Sequence, residues 1–484
     1  MMYPTKNRQK TPDLNPDQKS RRQRLDALVE KFQQYLHLPN PGSLLITLGT
    51  IAANRLEGPP VWLLIVGASS SGKTEILNPI SALPDVYEAG NITEAGLLSG
   101  TPKKDCVEGA TGGLLRQVGD RGIICCKDFT TVLSARLEQR ASLLAAFREM
   151  YDGSWTRSLG TDGGTTFKWT GKVGLVGGVT PVIDKHHGFM NVMGERFVLW
   201  RVPEFDEISQ GEVALDHAGS LNQMQGDLKE SVLRFFRDIP HDETLGEGPQ
   251  VSKSQRGFLI SLAVVITHGR STVIRDNYSR EIELIVGPEG PGRVIKVLDR
   301  LRAGLQTIGL EPDETLPLLR HVAFSCMPVA RSGVLRFMAS SPNEACQTKA
   351  LAGPAAIPPN NVLRRHLEDL DSSGLLRREP PDATSGVNTW WYLTEQAVGL
   401  FEAIGLSDSA PTETSPDKSP SPPRDSRTPP DKSPLPPTDP GTFPGKSESP
   451  SLGDLLSRKL TDTSQDEGEW FSHHPDAARG NRAR

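Results

Sequence analysis

Between Gly67 and Thr74 the chain reads Gly-Ala-Ser-Ser-Ser-Gly-Lys-Thr. Two glycines bracket four small residues, and a lysine and a threonine follow. Glycine lets the backbone wrap closely around a compact anion, so that successive N–H groups point at its oxygens. At this spacing the Lys73 ammonium reaches the β- and γ-phosphates of a nucleoside triphosphate, and the Thr74 hydroxyl holds Mg²⁺. The candidate nucleotide contacts run from Gly67 through Ala68, Ser69, Ser70, Ser71, Gly72, Lys73 and Thr74 to Glu75. ATP and Mg²⁺ are the cofactors this predicts.

A phosphate loop needs partners. Asp128 follows an apolar run ending at Cys126, where a carboxylate can hold Mg²⁺ through water; a surface turn is its plainer role. Thr180 ends the run Gly174 to Pro181 and is placed to position the attacking water or to sense the γ-phosphate. Arg196, in Gly194-Glu195-Arg196-Phe197, has the character of an arginine finger that reaches the nucleotide of a neighbouring subunit. An ordinary ion pair is the alternative. His186 and His187 lie beside Asp184, but no third ligand stands at a metal-binding spacing.

These residues must be carried by strands and helices. Trp62 to Val66 is an unbroken apolar run, as a buried strand would be, and the residues after Thr74 open a helix whose N-terminus adds a positive dipole end. Pro79 is expected to shorten or kink that helix. Further strands are predicted at Val86 to Ala89, Gly122 to Cys126, Val173 to Gly177 and Phe197 to Val202. Helices are predicted at Asp26 to Leu36, Glu94 to Leu98 and Leu137 to Tyr151, with another around Leu44 to Arg55. This alternation predicts an α/β fold with a parallel sheet covered on both faces. Trp155 to Trp169 reads as a hairpin, with its turn at Thr161-Asp162-Gly163-Gly164.

The expected organisation is a mobile stretch over 1–24, a core over 25–205, a mostly helical segment over 206–310, a small unit over 311–404 and a disordered tail over 405–484. The tail is rich in proline, serine, aspartate and lysine and cannot bury enough apolar surface to fold. Hydrophobic residues make up 36% of the 484 and the mean hydropathy is -0.37, which also points to an unfolded portion. The net charge of -5 gives no global drive toward nucleic acid or an anionic membrane, so DNA contact must come from local basic patches. Five cysteines without C-x-x-C spacing suit a reducing compartment, the cytoplasm. No apolar run is long enough to span a bilayer, and no membrane partner is expected.

In order, GASSSGKT, ICCKDFTTVLS, the hairpin, GLVGGVTP and GERF resemble the ATPase core of AAA+ P-loop proteins. The nearest resemblance is to the minichromosome-maintenance-type helicases and related ATPases of phages and integrated elements. It covers about Leu44 to Leu310. It implies a P-loop NTPase fold with a helical lid, catalytic roles for Lys73, Asp128, Thr180 and Arg196, and a metal set of Thr74 and Asp128. It also implies a nucleotide-sensing arginine at the start of a lid helix, for which Arg293 fits best and Arg270 is the rival. In those helicases a Glu follows the acidic Asp and activates water. Here that position is Phe129, and Glu149 or Asp152 are the candidates to replace it. The hairpin of those helicases grips DNA in a central channel, which nominates Arg157 and Lys168; a purely structural hairpin is the alternative.

The unit over 311–404 resembles a winged helix. Helices are expected at Ser332 to Ala339 and Gln347 to Leu351, then a stronger one after Pro358-Pro359 with a Leu363, Leu367, Leu370 stripe. Wing strands are expected at Leu375 to Glu379 and Thr389 to Leu393. Such a unit enters a DNA groove with its third helix, which nominates Arg364, Arg365, Arg377 and Arg378; protein docking is its other use. The resemblance implies a DNA helicase or translocase acting as a homo-oligomeric ring in replication of a mobile element, with a protein partner for the tail. The second possibility is an ATP-gated DNA-binding switch with little hydrolysis.

Overall fold

The computed structural model describes residues 16–90, 92–98, 113–159, 165–187, 196–204, 206–239, 246, 248–276, 278–380 and 389–406. The expected tail from 407 onward and the tip of the Trp155 to Trp169 hairpin lie outside the described residues.

The chain opens with α1 (Pro16–Tyr35) and α2 (Gly42–Arg55). Helix α1 starts ten residues ahead of the expected Asp26, which corrects the expected mobile stretch from Pro16 onward. Its arginines are held: Arg22 pairs with Asp26 at 2.8 Å and with Glu314, Arg24 pairs with Asp238, and Arg21 donates to the Thr307 carbonyl. Next come β1 (Trp62–Val66), α3 (Lys73–Ile80), β2 (Val86–Glu88), α4 (Glu94–Leu97), α5 (Leu114–Val118), β3 (Arg121–Cys126), α6 (Thr130–Leu133) and α7 (Leu137–Tyr151). Strands β4 (Ser154–Leu159) and β5 (Thr165–Thr170) pair antiparallel, with Trp155 opposite Trp169, as the hairpin expectation required. Strand β6 (Lys172–Val179), a 3-10 turn over Pro181–His186 and β7 (Phe197–Arg201) complete the core.

Five strands form one parallel sheet in the order β2-β3-β6-β1-β7. All five residues of β1 are buried, because its two neighbours and covering helices leave it no polar face. The register puts Val66 opposite both Val179 and Arg201, and Cys126 opposite Gly177. The chain therefore leaves β1, β3, β6 and β7 at one common edge. The result is a mixed α/β fold with a parallel sheet.

Beyond β7 lie α8 (Glu207–Asp216), α9 (Leu221–Phe236), α10 (Lys253–Arg270), the hairpin β8 (Val273–Arg275) and β9 (Ile282–Ile285), and α11 (Gly292–Thr307). The hairpin was not expected in the helical segment. Its signal, two β-branched runs around Asp276, is short and was masked by the flanking helices. Helix α2 is buried along almost its whole length because the sheet covers one side and α11 the other.

Helix α12 (Pro312–Ser325) packs on β7 and closes the open edge of the sheet. The Leu199 amide donates to Cys326 Sγ at 3.3 Å and the Arg201 amide to Ser325 Oγ at 3.1 Å, so side chains take the place of a sixth strand. Then follow α13 (Val329–Ala339), β10 (Cys346–Gln347), α14 (Ala352–Ala355), α15 (Asn361–Ser372), β11 (Leu376–Glu379), β12 (Trp390–Leu393) and α16 (Glu395–Ala403). The expected helix at Gln347 to Leu351 is corrected: Cys346–Gln347 pairs with β12 instead, and the short helix begins at Ala352. Leu363, Leu367 and Leu370 are buried on α15, as their spacing predicts.

Candidate functional site

The loop leaves β1 at Gly67, whose amide donates to the Val179 carbonyl at 3.1 Å. A Cβ at Gly67 would lie 2.5 Å from Ser71 Oγ and 3.0 Å from Val202, so only glycine fits this crossing. Gly72 has φ 77°, the left-handed region that glycine enters freely. Helix α3 starts at the next residue and ends one residue past Pro79, as expected of a proline there. Among the described residues, the amides of Ser69, Ser70, Gly72, Lys73 and Thr74 donate to no other group. They form a row of donors at a helix N-terminus, which suits an anion.

Lys73 lies along this loop. Its Nζ donates to the Gly67 carbonyl at 2.8 Å, to the Ala68 carbonyl, and to Ser71 Oγ at 3.1 Å. Partial burial holds its pKa below the ordinary lysine value, and the Asp128 carboxylate opposes that shift. Asp128 is exposed at the end of β3 and accepts from the Thr130 amide at 3.0 Å. Thr130 Oγ1 in turn accepts from the Thr180 amide at 3.2 Å. Lys73, Thr74, Glu75, Asp128 and Thr180 thus share one edge of the sheet.

No group of three or more His, Cys, Asp or Glu among the described residues could hold a metal by itself. A hydroxyl at Thr74 and a carboxylate at Asp128 fit Mg²⁺ only as a shared ion, since Mg²⁺ takes one or two carboxylates plus phosphate oxygens and water. His187 Nε2 is engaged with the Arg270 carbonyl at 3.0 Å, and burial pushes its pKa down to about 3.

A hollow of about 630 Å³ adjoins the loop. Its walls include Tyr35 at the end of α1, His37 and Asn40 from the α1–α2 connection, Pro203 just after β7, and Gln210 from α8. Gln210 Nε2 donates to the Ser70 carbonyl at 3.0 Å, joining α8 to the loop. Sequence reasoning missed these walls, because segments so far apart in the chain carry no common motif.

The remaining candidates lie elsewhere. Phe129 is fully buried, stacked on Phe147 at 6.0 Å and edge-on to Phe197 at 5.2 Å, in a cluster with Trp62 and Tyr151. Arg196 precedes β7 and Arg293 starts α11, both at the opposite edge of the sheet from the loop. Five strand residues separate the edges, about 15 Å. Arg196 meets Asp152 at 3.4 Å and sits over the Tyr151 ring; burial lowers its pKa and the Arg293 charge adds to that. Arg293 faces Glu289 at 3.6 Å, and the rival Arg270 pairs with the same carboxylate. Neither Arg196 nor Arg293 lines the loop of its own chain.

Arg157 is tied to α4, through Glu94 at 3.3 Å and the Leu98 carbonyl at 2.6 Å, whereas Lys168 is exposed. Arg364 pairs with Glu368 at 2.9 Å, Arg378 with Asp371 at 3.2 Å, and Arg377 with Glu379 and the Tyr392 ring. The carbonyl of Arg365 accepts from Arg275.

No family model matches this chain, and no curated protein matches it. Among solved structures, a protein of Cytophaga hutchinsonii described as a "putative ATPase" aligns with 12% identity and a TM-score of 0.35, covering 64% of this chain and 88% of that one. No helix among the described residues is long and apolar enough to cross a membrane.

Proposed function

We propose that this chain is an ATP-binding AAA+ ATPase that works on DNA, as a helicase or translocase in replication of a mobile element. The observation that carries the nucleotide assignment is the set of undonated amides of Ser69, Ser70, Gly72, Lys73 and Thr74 around the Lys73 ammonium, at the end of a central strand. Bound there, the triphosphate would meet backbone N–H groups and Lys73, and its Mg²⁺ would be held by Thr74 and, through water, Asp128. The hollow at Tyr35, His37 and Asn40 lies where the base and sugar would extend. Thr180, linked to Thr130 beside Asp128, orients the attacking water.

The opposite placement of Arg196 supports a site shared between copies, since an arginine some 15 Å from its own loop can serve only another chain's nucleotide. Arg293 would act from the same edge, with α8 to α11 as the lid. Helices α13, α14 and α15 with the β10-β12-β11 sheet support a winged helix within 311–404. Arg364, Arg365, Arg377, Arg378 and Lys168 would be its DNA contacts and those of the hairpin, and the tail would recruit a protein partner. The protein would work in the cytoplasm.

The burial of Phe129 favours a second reading, an ATP-gated DNA-binding switch with little turnover. One experiment separates them: ATP turnover with and without single- and double-stranded DNA, for wild type, Lys73→Ala and Arg196→Ala. DNA-stimulated turnover lost in both variants, and restored on mixing them, supports the motor. Tight ATP binding with negligible turnover supports the switch. No affinity for ATP with Mg²⁺ removes both.

A further inference from the structure

A second hollow, of about 500 Å³, opens at the amino edge of the sheet. Lys172 at the start of β6 lines it, with Arg293 and Lys296 from the first turns of α11. Asp152 is the one carboxylate among the lining residues, and Arg196 engages it. Lys172 Nζ donates to the Leu56 carbonyl, which leaves two of its three protons to give.

Two polar groups here have no hydrogen-bond partner. Tyr151 lines the hollow with 6% of its surface exposed, and its hydroxyl is buried and unpartnered among the described residues. Arg293 Nη1 is likewise buried without a hydrogen bond, the nearest carboxylate being Glu289 at 3.6 Å. Buried polar groups are nearly always satisfied, so each orphan asks for a partner. Arg293 Nη1 can only donate and a tyrosine hydroxyl donates readily. What is lacking is an acceptor, and three lining cations against one already engaged carboxylate select an anionic one.

We propose that this hollow is a second oxyanion site, which takes a phosphoryl group through Tyr151 Oη, Arg293, Lys172 and Lys296. It is separated from the glycine loop by the length of β1, so within one chain the two sites cannot hold the same phosphates. The phosphoryl group comes either from a free polyphosphate or from a nucleotide seated on the loop of a second copy; the latter rests on the shared-site assignment above.

The surroundings of Lys172 make the site pH-dependent. Burial, reinforced by Arg121 from β3 and Arg300 from α11, brings its pKa down to about 7, with Glu57 opposing. Arg293, Lys296 and Asp152 are the other charged side chains lining the hollow. Lys172 binds an anion while protonated, so affinity falls as pH rises through about 7.

The test is calorimetric titration of the full chain carrying Lys73→Ala, which disables the loop, with tripolyphosphate at pH 6 and pH 8. Binding that is tighter at pH 6, several-fold weaker with Tyr151→Phe and abolished by Lys172→Met with Lys296→Met supports the proposal with a free anion as source. If free tripolyphosphate does not bind, Lys172→Met is mixed with Lys73→Ala and ATP turnover is read. Low turnover of Lys172→Met alone that the Lys73→Ala partner restores supports the second-copy source. Neither binding nor restoration overturns the proposal. Failure of the loop assignment reads out separately, as equal ATP affinity in wild type and Lys73→Ala.

Discussion

Asp128 and Phe129 are consecutive but face opposite ways: the Asp128 carboxylate is exposed at the edge of the sheet that carries the glycine loop, while the Phe129 ring is fully buried between Phe147 and Phe197. The position that aligns, in the sequence resemblance, with a water-activating Glu is therefore a core position in this chain.

Placing an acid at this position is expected to damage the fold. Phe129→Ala should cost about 3–5 kcal/mol as a buried aromatic truncation. Phe129→Glu should cost at least as much, because an ionised carboxylate would lose its water without a partner. Urea unfolding of both variants checks this. A stable Phe129→Glu with raised ATP turnover would show that the side chain points to the site after all.

Asp128→Asn is expected to leave stability within about 0.5 kcal/mol of wild type, since the exposed side chain makes one backbone hydrogen bond that Asn keeps. Its Mg²⁺-dependent ATP turnover should fall at least tenfold. Unchanged turnover across a Mg²⁺ titration would remove Asp128 from the metal site.

Lys172 links stability to pH. Its folded pKa of about 7 lies below the ordinary lysine value of 10.5. Between those values the unfolded chain binds more protons than the folded one, so the group makes stability rise with pH across that window. Stability falls as pH drops from about 10 to 7, and Lys172→Met should raise Tm most near and below pH 7 while flattening the pH dependence. Thermal unfolding from pH 6 to 9.5, wild type against variant, measures it.

Asp369 on α15 is held between two arginines, Arg275 at 2.7 Å and Arg331, which is itself 1% exposed and also donates to the Gly269 and Ser271 carbonyls. Asp369→Ala would strand the buried Arg331 charge and should cost about 3–5 kcal/mol. Arg331→Met with Asp369→Leu should recover much of that loss. A double variant no more stable than Asp369→Ala would argue against an ionic cause.

The candidate DNA contacts divide by how firmly they are already held. Arg157→Ala should lower stability through its lost bonds to Glu94 and Leu98 and leave the salt dependence of DNA binding unchanged. Lys168→Ala should weaken binding across sequences and reduce the salt slope by about 1. Fluorescence anisotropy with a duplex at several salt concentrations distinguishes them, and equal slopes would exclude a backbone contact at Lys168.

The sequence by itself determined the local pieces. Five consecutive apolar residues pointed to a buried strand, two glycines and a lysine at fixed spacing to a tight loop opening a helix, and the Leu363, Leu367, Leu370 spacing to a helix with one buried face. These are properties of neighbours in the chain, so β1, α7 and α15 were legible. Tertiary structure decided what distant segments do together. It lined up the ends of β1, β3 and β6 so that Lys73, Asp128 and Thr180 share an edge, and sent Arg196 and Arg293 to the other. It turned Phe129 into the core, closed β7 with Cys326 and Ser325, and gathered Tyr151, Lys172 and Arg293 around one hollow. Each outcome depends on strand order and register, which are set by which faces bury best against one another across hundreds of residues, and no local spacing records that.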